Sequence, residues 1–498
     1  MMKIKINKIG RILLIICLTV LASCSDDFLD VNDNPNNPPT STPKLTLPVA
    51  QQQLANLYGT SMMYLGQYFA YSYAVPSNWS ANGDLLRYNV TNTFYTNIFE
   101  SSYADIFKNL TFVEEYADPQ GVLDYSSYKV ITETLSGFQY QYLVDLYGDV
   151  PYSEANQRGG NTTPVYDNEE TIYKNVIDSL TTAANLALNI PSENSENPGD
   201  SDIILHGDMT AWAQFANTVK LRMLMRMSNS GQDSYIQEQI ALIDANGAGY
   251  ITDNISANPG YSQNADQQTP VYGYLGYQST GVETDRHDFT VATDYAIDLL
   301  DSTNDPRILR IYTGSDNADE LKGVNQSINL PGEGFTSDDL SAVGPGILKS
   351  ADQDQPLMLL SEALFLQAEA VTRGYIPGGD AVAMNLYNQA IEASFDYLEA
   401  EDAQTYYSQA IENVSWASSS DKIEAIITQK WIALNGISIE PWIEYTRTGF
   451  PTDLPTSVDG GNRRPIRLLY PTSEYSRNSD NVPPTTTEDA FTKNPFWK

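Results

Sequence analysis

The chain has 498 residues, of which 28 are basic and 63 acidic, giving a formal net charge of −35. A surface this acidic repels polyanions, which excludes nucleic acid as an expected partner. Apolar residues make up 41% and aromatic residues 11% of the chain, which is typical of a folded globular protein rather than a disordered one. Tyrosine outnumbers phenylalanine by 33 to 15, and its ring suits both helix packing and wet recognition surfaces.

The first 23 residues have the pattern of a secretory signal peptide. Four basic residues lie between positions 3 and 11, and an apolar run follows at 12–22. That run is too short to cross a bilayer as a helix, but it has the length of a signal-peptide core. Removing 1–23 would take away four positive charges and no negative ones, lowering the net charge from −35 to −39.

The apolar run ends at Leu21-Ala22-Ser23-Cys24, which resembles a bacterial lipobox. In lipoproteins the cysteine of this motif carries a diacylglycerol group, so we predict lipidation of Cys24. Cys17 would leave with the signal peptide, and the mature chain would then have no thiol pair for an internal disulfide. Residues 25–27, Ser-Asp-Asp, fit either a surface-export signal of Bacteroidetes lipoproteins or a plain solvated linker.

Behind the lipidation motif the sequence predicts a tether and one large domain. Residues 24–45 are polar and rich in Asn and Pro, which is typical of a tether. Residues 46–498 contain no long Pro/Gly/Ser linker, so we expect a single domain. Helical patterning fails at about 246–288 and 313–355, and these segments are expected to be loop-rich insertions on a helical scaffold. No later apolar run reaches the length needed to span a membrane.

Elsewhere apolar residues recur at three- and four-residue spacing, which predicts a mainly α-helical fold. At 208–228, for example, Trp212, Phe215 and Val219 form one stripe, while Arg222 and Arg226 share another face. The predicted helices cover about 46–73, 92–117, 127–147, 168–188, 208–228, 234–245, 289–301, 356–374, 380–397, 402–414 and 420–447. For the helix at 168–188, Asp167 is the expected N-cap, with Glu170 completing a capping box.

Two neighbouring helices suggest a repeat. The helix ending at Gly374 is followed by a short turn and a second helix, in which Ala383, Tyr387 and Ala390 have the spacing of a tetratricopeptide second helix. Such pairs bury their apolar faces only by stacking, so several are needed. The pattern favours a solenoid of helix pairs, and a generic helical bundle is the alternative.

Catalytic and cofactor-binding motifs are missing from the sequence. The two histidines, His206 and His287, are not part of a metal-protease motif, and no C-x-x-C, phosphate-binding loop or G-x-S-x-G string occurs. A glycosidase needs two carboxylates about 5 to 10 Å apart, and the sequence cannot select a pair among its 63 acidic residues. We expect no enzyme activity, no catalytic metal site and no cofactor. The stretches 32–37 and 197–202 are rich in side-chain oxygen atoms, so binding of a structural calcium ion is kept as an alternative.

Several strings along the chain together resemble the SusD/RagB family of outer-membrane nutrient-binding lipoproteins. Each string is weak by itself, but their order spans nearly the whole mature sequence. The strings are "DFLDVNDNPNNP" at 27–38, "YLVDLYGDVPYSEA" at 142–155, "WAQFANTVKLRMLMR" at 212–226, "NDPRI" at 304–308, "SEALFLQAEAVTRG" at 361–374, "QKWIALNG" at 429–436, "EPWIEYTRTGFP" at 440–451 and "RRPIRLLYP" at 463–471.

This resemblance implies tetratricopeptide-like helix pairs beside a less regular, ligand-binding half. It also implies a lipid-anchored protein on the outer face of the outer membrane, closing over a SusC-like TonB-dependent transporter. The expected function is capture of an oligosaccharide or polysaccharide for import, without catalysis. The alternatives are an oligopeptide-binding partner in the same kind of complex, a surface-anchored glycoside hydrolase and a structural scaffold of the envelope.

The resemblance assigns no fixed ligand residues, so we predict them from the chemistry of sugars. Sugar rings stack on Trp or Tyr, and sugar hydroxyls need polar partners, so a site requires aromatic residues on loops with polar neighbours. Two stretches qualify, 76–88 and 264–278, and in an alternating strand Tyr272 and Tyr274 would share a face. Packing inside the fold is the alternative for both. The predicted ligand-binding residues are Asn78, Trp79, Arg87, Tyr88, Asp266, Tyr272, Tyr274 and Tyr277.

Overall fold

The computed structural model of the chain describes residues 41–498, apart from 192, 318–319, 327–331, 459–460 and 462. The predicted signal peptide, Cys24 and most of the predicted tether therefore lie outside the described residues. The first helix begins at Pro43, within the last residues of the segment predicted as a tether. Residues Pro43–Lys498 form one compact unit. Within the described ranges, no helix combines the length and apolarity that crossing a bilayer requires.

The secondary structure is mainly α-helical, as predicted. Short π-helical segments lie between or beside the α-helices, at Tyr58–Met62, Ser102–Phe107 and Tyr272–Gly276. The α-helices are α1 Pro43–Leu57, α2 Met63–Phe69, α3 Gly83–Leu86, α4 Asn97–Ser101, α5 Lys108–Glu114, α6 Ser126–Tyr147, α7 Glu169–Ala187, α8 Met209–Arg226, α9 Asp233–Asn246, α10 Asp285–Phe289, α11 Asp294–Ser302, α12 Ile308–Ile311, α13 Leu360–Thr372, α14 Gly379–Leu398, α15 Ala403–Tyr407, α16 Lys422–Ala433, α17 Glu440–Thr448, α18 Thr472–Arg477 and α19 Asp489–Thr492.

The long helices stack one on the next. Helix α1 packs on α5, α5 on α6, α6 on α7, α7 on α8, α8 on α13, and α13 on both α14 and α16. Small residues allow the close approaches, because a Cβ at Gly137 of α6 would lie 2.9 Å from Leu180 Cδ2 of α7. This order of contacts is the solenoid-like arrangement expected from the sequence.

The predicted helix pair is α13 with α14. Ala383, Tyr387 and Ala390 are all buried on α14, and the Tyr387 ring lies 6.0 Å from that of Phe365 on α13. The Tyr387 hydroxyl donates to the carbonyl of Val414 at 3.1 Å. These residues belong to a second apolar core cluster, which also contains Trp416.

A buried ion network joins α6, α8, α13, α16 and α17. Arg222 and Arg226, which the pattern placed on the face away from the apolar stripe, are fully buried and face carboxylates of neighbouring helices. The carboxylates are supplied by Asp145, Glu362, Glu369, Glu440 and Glu444, and the cations by Arg222, Arg226, Lys430 and Arg447. Opposite charges therefore compensate one another inside the stack, as burial requires.

Several sequence-based helix predictions differ from the structure. At 289–301 the helix begins only at Asp294, after a strand at Val291–Ala292, and at 356–374 it begins at Leu360, after a strand that ends at Met358. The helix predicted at 420–447 is two helices, α16 and α17, separated by Leu434–Ile439. The helix predicted at 402–414 is shortened to α15. The N-cap of α7 is Asn168, whose side chain accepts a hydrogen bond from Thr171 N, while Asp167 instead accepts from the backbone of Tyr152 and Ser153.

Six short strands among the described residues form three two-stranded antiparallel sheets. Strand β1 (Tyr73–Ala74) pairs with β5 (Val291–Ala292). Strand β2 (Val150–Pro151) pairs with β3 (Tyr166–Asp167), and β4 (Ile255–Ala257) pairs with β6 (Gln355–Met358). The segments predicted as loop-rich contain β4, most of α10 and irregular backbone. The β1–β5 pair positions the candidate site.

Candidate functional site

The antiparallel β1–β5 pair brings two distant loops together. Tyr73 pairs with Ala292 and Ala74 with Val291, so the residues that follow β1 run beside those that precede β5. The segment after β1 contains Trp79, and the segment before β5 is α10. Two residues of pairing therefore place the first predicted binding loop against α10.

Trp79 is held in one orientation by two contacts from α10. Its indole Nε1 donates a hydrogen bond to Asp288 Oδ2 at 2.6 Å. The ring also packs edge-to-face on Phe289, with centroids 5.5 Å apart. The Trp79 side chain is partly buried, so part of its surface is available to a ligand while its polar atom is already satisfied.

The second predicted loop reaches the same helix from its other end. The guanidinium of Arg286 lies 3.7 Å from the centroid of the Tyr274 ring, and its Nη1 donates to the Tyr274 carbonyl at 2.9 Å. Tyr64 of α2 meets Tyr274 edge-to-face at 5.6 Å. One face of Tyr274 is thus covered by Arg286, whose Nε is buried and has no hydrogen-bond partner among the described residues.

Tyr272 and Tyr277 form the outer part of this loop. Their rings are 5.3 Å apart, and the Tyr277 ring lies 5.2 Å from that of His287. Burial lowers the pKa of His287 below its ordinary value, so the imidazole is neutral at pH 7. Tyr272 also borders a cavity of about 360 Å³, lined further by Tyr261 and Lys349.

The expectation that Tyr272 and Tyr274 share one face of an alternating strand is wrong. Residues Tyr272–Gly276 form a π-helical turn, so Tyr272 and Tyr274 do not share one face of a strand. The backbone N–H groups of this segment do not bond to the backbone of a neighbouring strand within the described residues. Val271 N donates instead to the side chain of Gln355 at 3.0 Å. Gly273 N donates back to the carbonyl of Thr269 at 3.0 Å. Instead, Tyr274 faces Arg286 and Tyr272 faces Tyr277.

A third loop closes beside the first. The exposed Asn78 exchanges two hydrogen bonds with Ser337, at 3.1 Å and 3.0 Å. Ser77 N donates to the carbonyl of Phe335 at 2.7 Å, and the Lys322 ammonium lies 3.3 Å from the centroid of the Phe335 ring. The segment predicted as the second loop-rich insertion therefore meets the Trp79 loop.

The remaining predicted residues have other surroundings. Tyr88 is 4% exposed and packs on Phe69 at 5.4 Å in the core, which leaves it no open ring face for a ligand. Arg87 is exposed and contacts the Gly83 carbonyl of its own helix. Asp266 is exposed at a left-handed turn, with a φ of 60°.

We name the group formed by Trp79, Phe289, Asp288, Arg286 and Tyr274 the aromatic platform. Along α10 it combines aromatic surface and a carboxylate with, two residues earlier, a guanidinium that has an unpartnered donor. This combination suits a ligand with apolar ring faces and hydroxyl groups. Burial raises the pKa of Tyr274, so its phenol stays protonated at neutral pH. Across the described part of the chain, no group of three or more His, Cys, Asp or Glu side chains is placed to hold a metal ion.

Sequence reasoning missed the α10 residues of the platform. Asp288 and Phe289 follow His287 in the string "ETDRHDF", where an arginine, acidic residues and an aromatic residue are mixed at the end of a loop. That mixture is the signal that could have identified them. Their partner Trp79 is 209 residues away along the chain, so only the fold brings them together.

A family model described as starch-binding and associating with the outer membrane matches residues 35–471. Among solved structures, a chitin-binding protein is 23% identical, covering 88% of this chain and 95% of its own, with a TM-score of 0.70. A chitin-binding SusD homolog from Flavobacterium johnsoniae is 21% identical, covering 91% and 98%, with a TM-score of 0.71. A SusD homolog from Bacteroides uniformis is 22% identical, covering 88% and 94%, with a TM-score of 0.70. These likenesses show the fold, and no curated protein sequence matches.

Proposed function

Since the chain belongs to the SusD-like family of starch-binding proteins that associate with the outer membrane, we propose that it captures an oligosaccharide or polysaccharide at the cell surface. The captured glycan passes to a SusC-like TonB-dependent transporter in the outer membrane. Capture involves no chemical step on the glycan. The observation that carries this proposal is the aromatic platform, in which Trp79 is held by Asp288 and Phe289 of α10.

The platform supports capture because it is organised before a ligand arrives. The hydrogen bond from Trp79 to Asp288 and the edge contact with Phe289 leave the indole little freedom to lose on binding. A preorganised site avoids part of the entropy that ordering side chains would otherwise require. Arg286 Nε, buried and unpartnered, is a donor that a sugar hydroxyl could satisfy.

Tyr272 extends the proposed site beyond the platform. It stands at the rim of the 360 Å³ cavity, beside Lys349 and Asp352. A glycan lying across Trp79 and Tyr272 would meet ring surface at both residues and polar groups around them. In the same proposal Asn78, Arg87 and Asp266 act at the margin of the site, whereas the buried Tyr88 supports the loop through Phe69.

The proposal places the domain on a lipid anchor at Cys24. One acyl chain gives only marginal membrane binding, whereas two or more hold a protein stably, so a lipidated Cys24 would tether the domain through the segment that follows. An acidic segment directly after the cysteine would then serve export to the outer face. The high negative charge of the chain suits a neutral ligand better than an anionic one at long range.

A binding panel tests the proposed function. The purified chain is titrated calorimetrically with maltooligosaccharides, chitooligosaccharides, other neutral glycans and mixed oligopeptides, and each glycan is analysed by chromatography after incubation. We expect binding of at least one glycan with no shortening of it. Binding of peptides only, or release of shorter sugars, would contradict glycan capture.

A further inference from the structure

A separate cavity, of about 480 Å³, is lined by cations and lies beside the end of α17. Its lining includes Arg463, Arg464 and Lys498, together with Tyr445 of α17 and Phe491 of α19. None of the described lining residues carries a side-chain carboxylate. The chain as a whole has a net charge of −35, so the local charge has the opposite sign to the overall one.

Arg464 is the central group of this basic cavity. It is only 7% exposed, and its guanidinium lies 4.5 Å from the centroid of the Tyr445 ring. Its Nη2 donates to the carbonyl of Pro455, but its Nε and Nη1 have no hydrogen-bond partner among the described residues. Buried donors of a charged group are rarely left without an acceptor, because that loss is larger than for a neutral group.

Arg463 is placed in the same way, on an aromatic ring. Its guanidinium lies 4.8 Å from the centroid of Phe491, and its side chain, 49% exposed, pairs with Glu488 outside the cavity. A guanidinium stacked on a ring keeps its N–H edge free for an acceptor in its own plane. Both arginines are therefore positioned before any ligand binds.

A fourth cation, Arg447, contributes less to the cavity. Its Nη1 bonds to Glu369 at 2.6 Å and its Nη2 to Glu444 at 2.5 Å, so the buried ion network neutralises it. The positive charge without a paired carboxylate comes from Arg464, with part of Arg463. Thr446, Thr448 and Thr456 also line the wall.

We propose that the basic cavity binds an oxyanion carried by a monosaccharide-sized ligand: a carboxylate, sulfate ester or phosphate ester of an acidic sugar. Arg464 supplies a charged donor, the unpartnered Nε or Nη1, to one oxygen of such a group. Lys498 and Arg463 add further cationic donors to the lining. The volume is within the range of about 300 to 1,000 Å³ typical of small-molecule sites. This site is distinct from the aromatic platform.

Calorimetric titration of the full chain tests this site. The probes are galacturonate, glucose 6-sulfate and glucose 6-phosphate, with glucose as the neutral control, at about 0.15 M salt to screen long-range repulsion. We expect at least one anionic sugar to bind more tightly than glucose, and inorganic sulfate or phosphate to compete with it. Absence of binding by all three anionic sugars at millimolar concentration would overturn the proposal.

Variants separate this cavity from adventitious binding. We expect Arg464→Met to weaken the anionic sugar by about tenfold or more, and Arg463→Gln combined with Lys498→Gln to weaken it as well. The double variant changes exposed side chains, so it remains informative if Arg464→Met does not fold. Lys174→Gln, on the exposed face of α7, is the matched control. Unchanged binding in the double variant would overturn the proposal, as would binding of phosphatidylglycerol vesicles without binding of any soluble anion.

Discussion

Replacement of Arg226 tests whether the buried ion network holds the helix stack together. Its Nε is 3.2 Å from Asp145 of α6, its Nη2 is 2.6 Å from Glu440 of α17, and its Nη1 pairs with Glu444. All four side chains are at most 4% exposed. Arg226→Met would therefore leave three carboxylates facing a medium of low polarity.

We expect the free energy of unfolding to fall by about 3 to 5 kcal/mol, the range for removing one partner of a buried ion pair. The loss should not be the sum of three ion-pair energies, because two of the carboxylates keep another cation. Glu444 still pairs with Arg447 at 2.5 Å, and Glu440 still lies 3.8 Å from Arg222. Burial, partly offset by Arg226, already raises the pKa of Asp145 to about 6. Its protonation can relieve the charge left by the substitution.

Urea denaturation followed by tryptophan fluorescence measures the effect as a shift of the transition midpoint. The matched control is Lys174→Met, which removes a 2.7 Å ion pair with Glu170 on the exposed face of α7. Exposed pairs contribute about 0 to 1 kcal/mol, so the control should lie close to the wild type. A loss for Arg226→Met no larger than that of the control would refute the role assigned to the network.

Three further predictions follow from burial, close packing and the lipidation motif. Burial raises the pKa of Glu133 to about 7, so the folded state keeps a proton that the unfolded state loses, and stability falls as the pH rises from about 4.5 to 7. Glu133→Gln should reduce this dependence of the free energy of unfolding on pH, measured by urea denaturation at several pH values. An unchanged pH dependence would contradict the assignment. A Cβ at Gly66 would lie 2.4 Å from Ile439 Cα, so Gly66→Ala should destabilise the chain by about 1 to 3 kcal/mol, whereas Gly159→Ala, with nothing within 4 Å, should not. Cys24→Ser should abolish incorporation of labelled fatty acid and move the protein out of the membrane fraction; retention there would contradict a lipid anchor.

Helical periodicity predicted the stack because each of its helices buries one continuous face. Trp212, Phe215 and Val219 are all fully buried, and the helix predicted at 208–228 is observed at Met209–Arg226. Its N-terminus is fixed by Asp208, whose side chain accepts from the backbone of Thr210 and Ala211. Local sequence was sufficient there because both cap and stripe are local features.

The break between α16 and α17 could not be predicted in the same way. Apolar residues continue through 434–439 because that whole segment is buried, so the pattern does not report the end of the helix. Gly436 has a φ of 74°, and a Cβ there would lie 2.7 Å from the Tyr73 hydroxyl. A tertiary contact, invisible in the local pattern, fixes the turn.

The candidate site was predicted in part for the same reason. Trp79 and Tyr272 could be selected because aromatic residues on polar loops are a local signal. Asp288 and Phe289 could not be assigned to Trp79, since the pairing that joins their loops is only two residues long on each strand. Pairing this short leaves no alternating pattern in the sequence. The burial of Tyr88 likewise depends on Phe69 of α2, a contact between segments.

The most direct test of glycan capture is the affinity of Trp79→Ala and Tyr272→Ala for a glycan that the wild type binds. Stacking on an aromatic ring contributes about 1 to 3 kcal/mol per contact by analogy with bases, so each variant should bind more weakly by roughly 5- to 150-fold. Tyr407→Ala, on α15 beside the second core cluster, is the matched control and should bind like the wild type. Equal affinity of the wild type, Trp79→Ala and Tyr272→Ala would contradict the account.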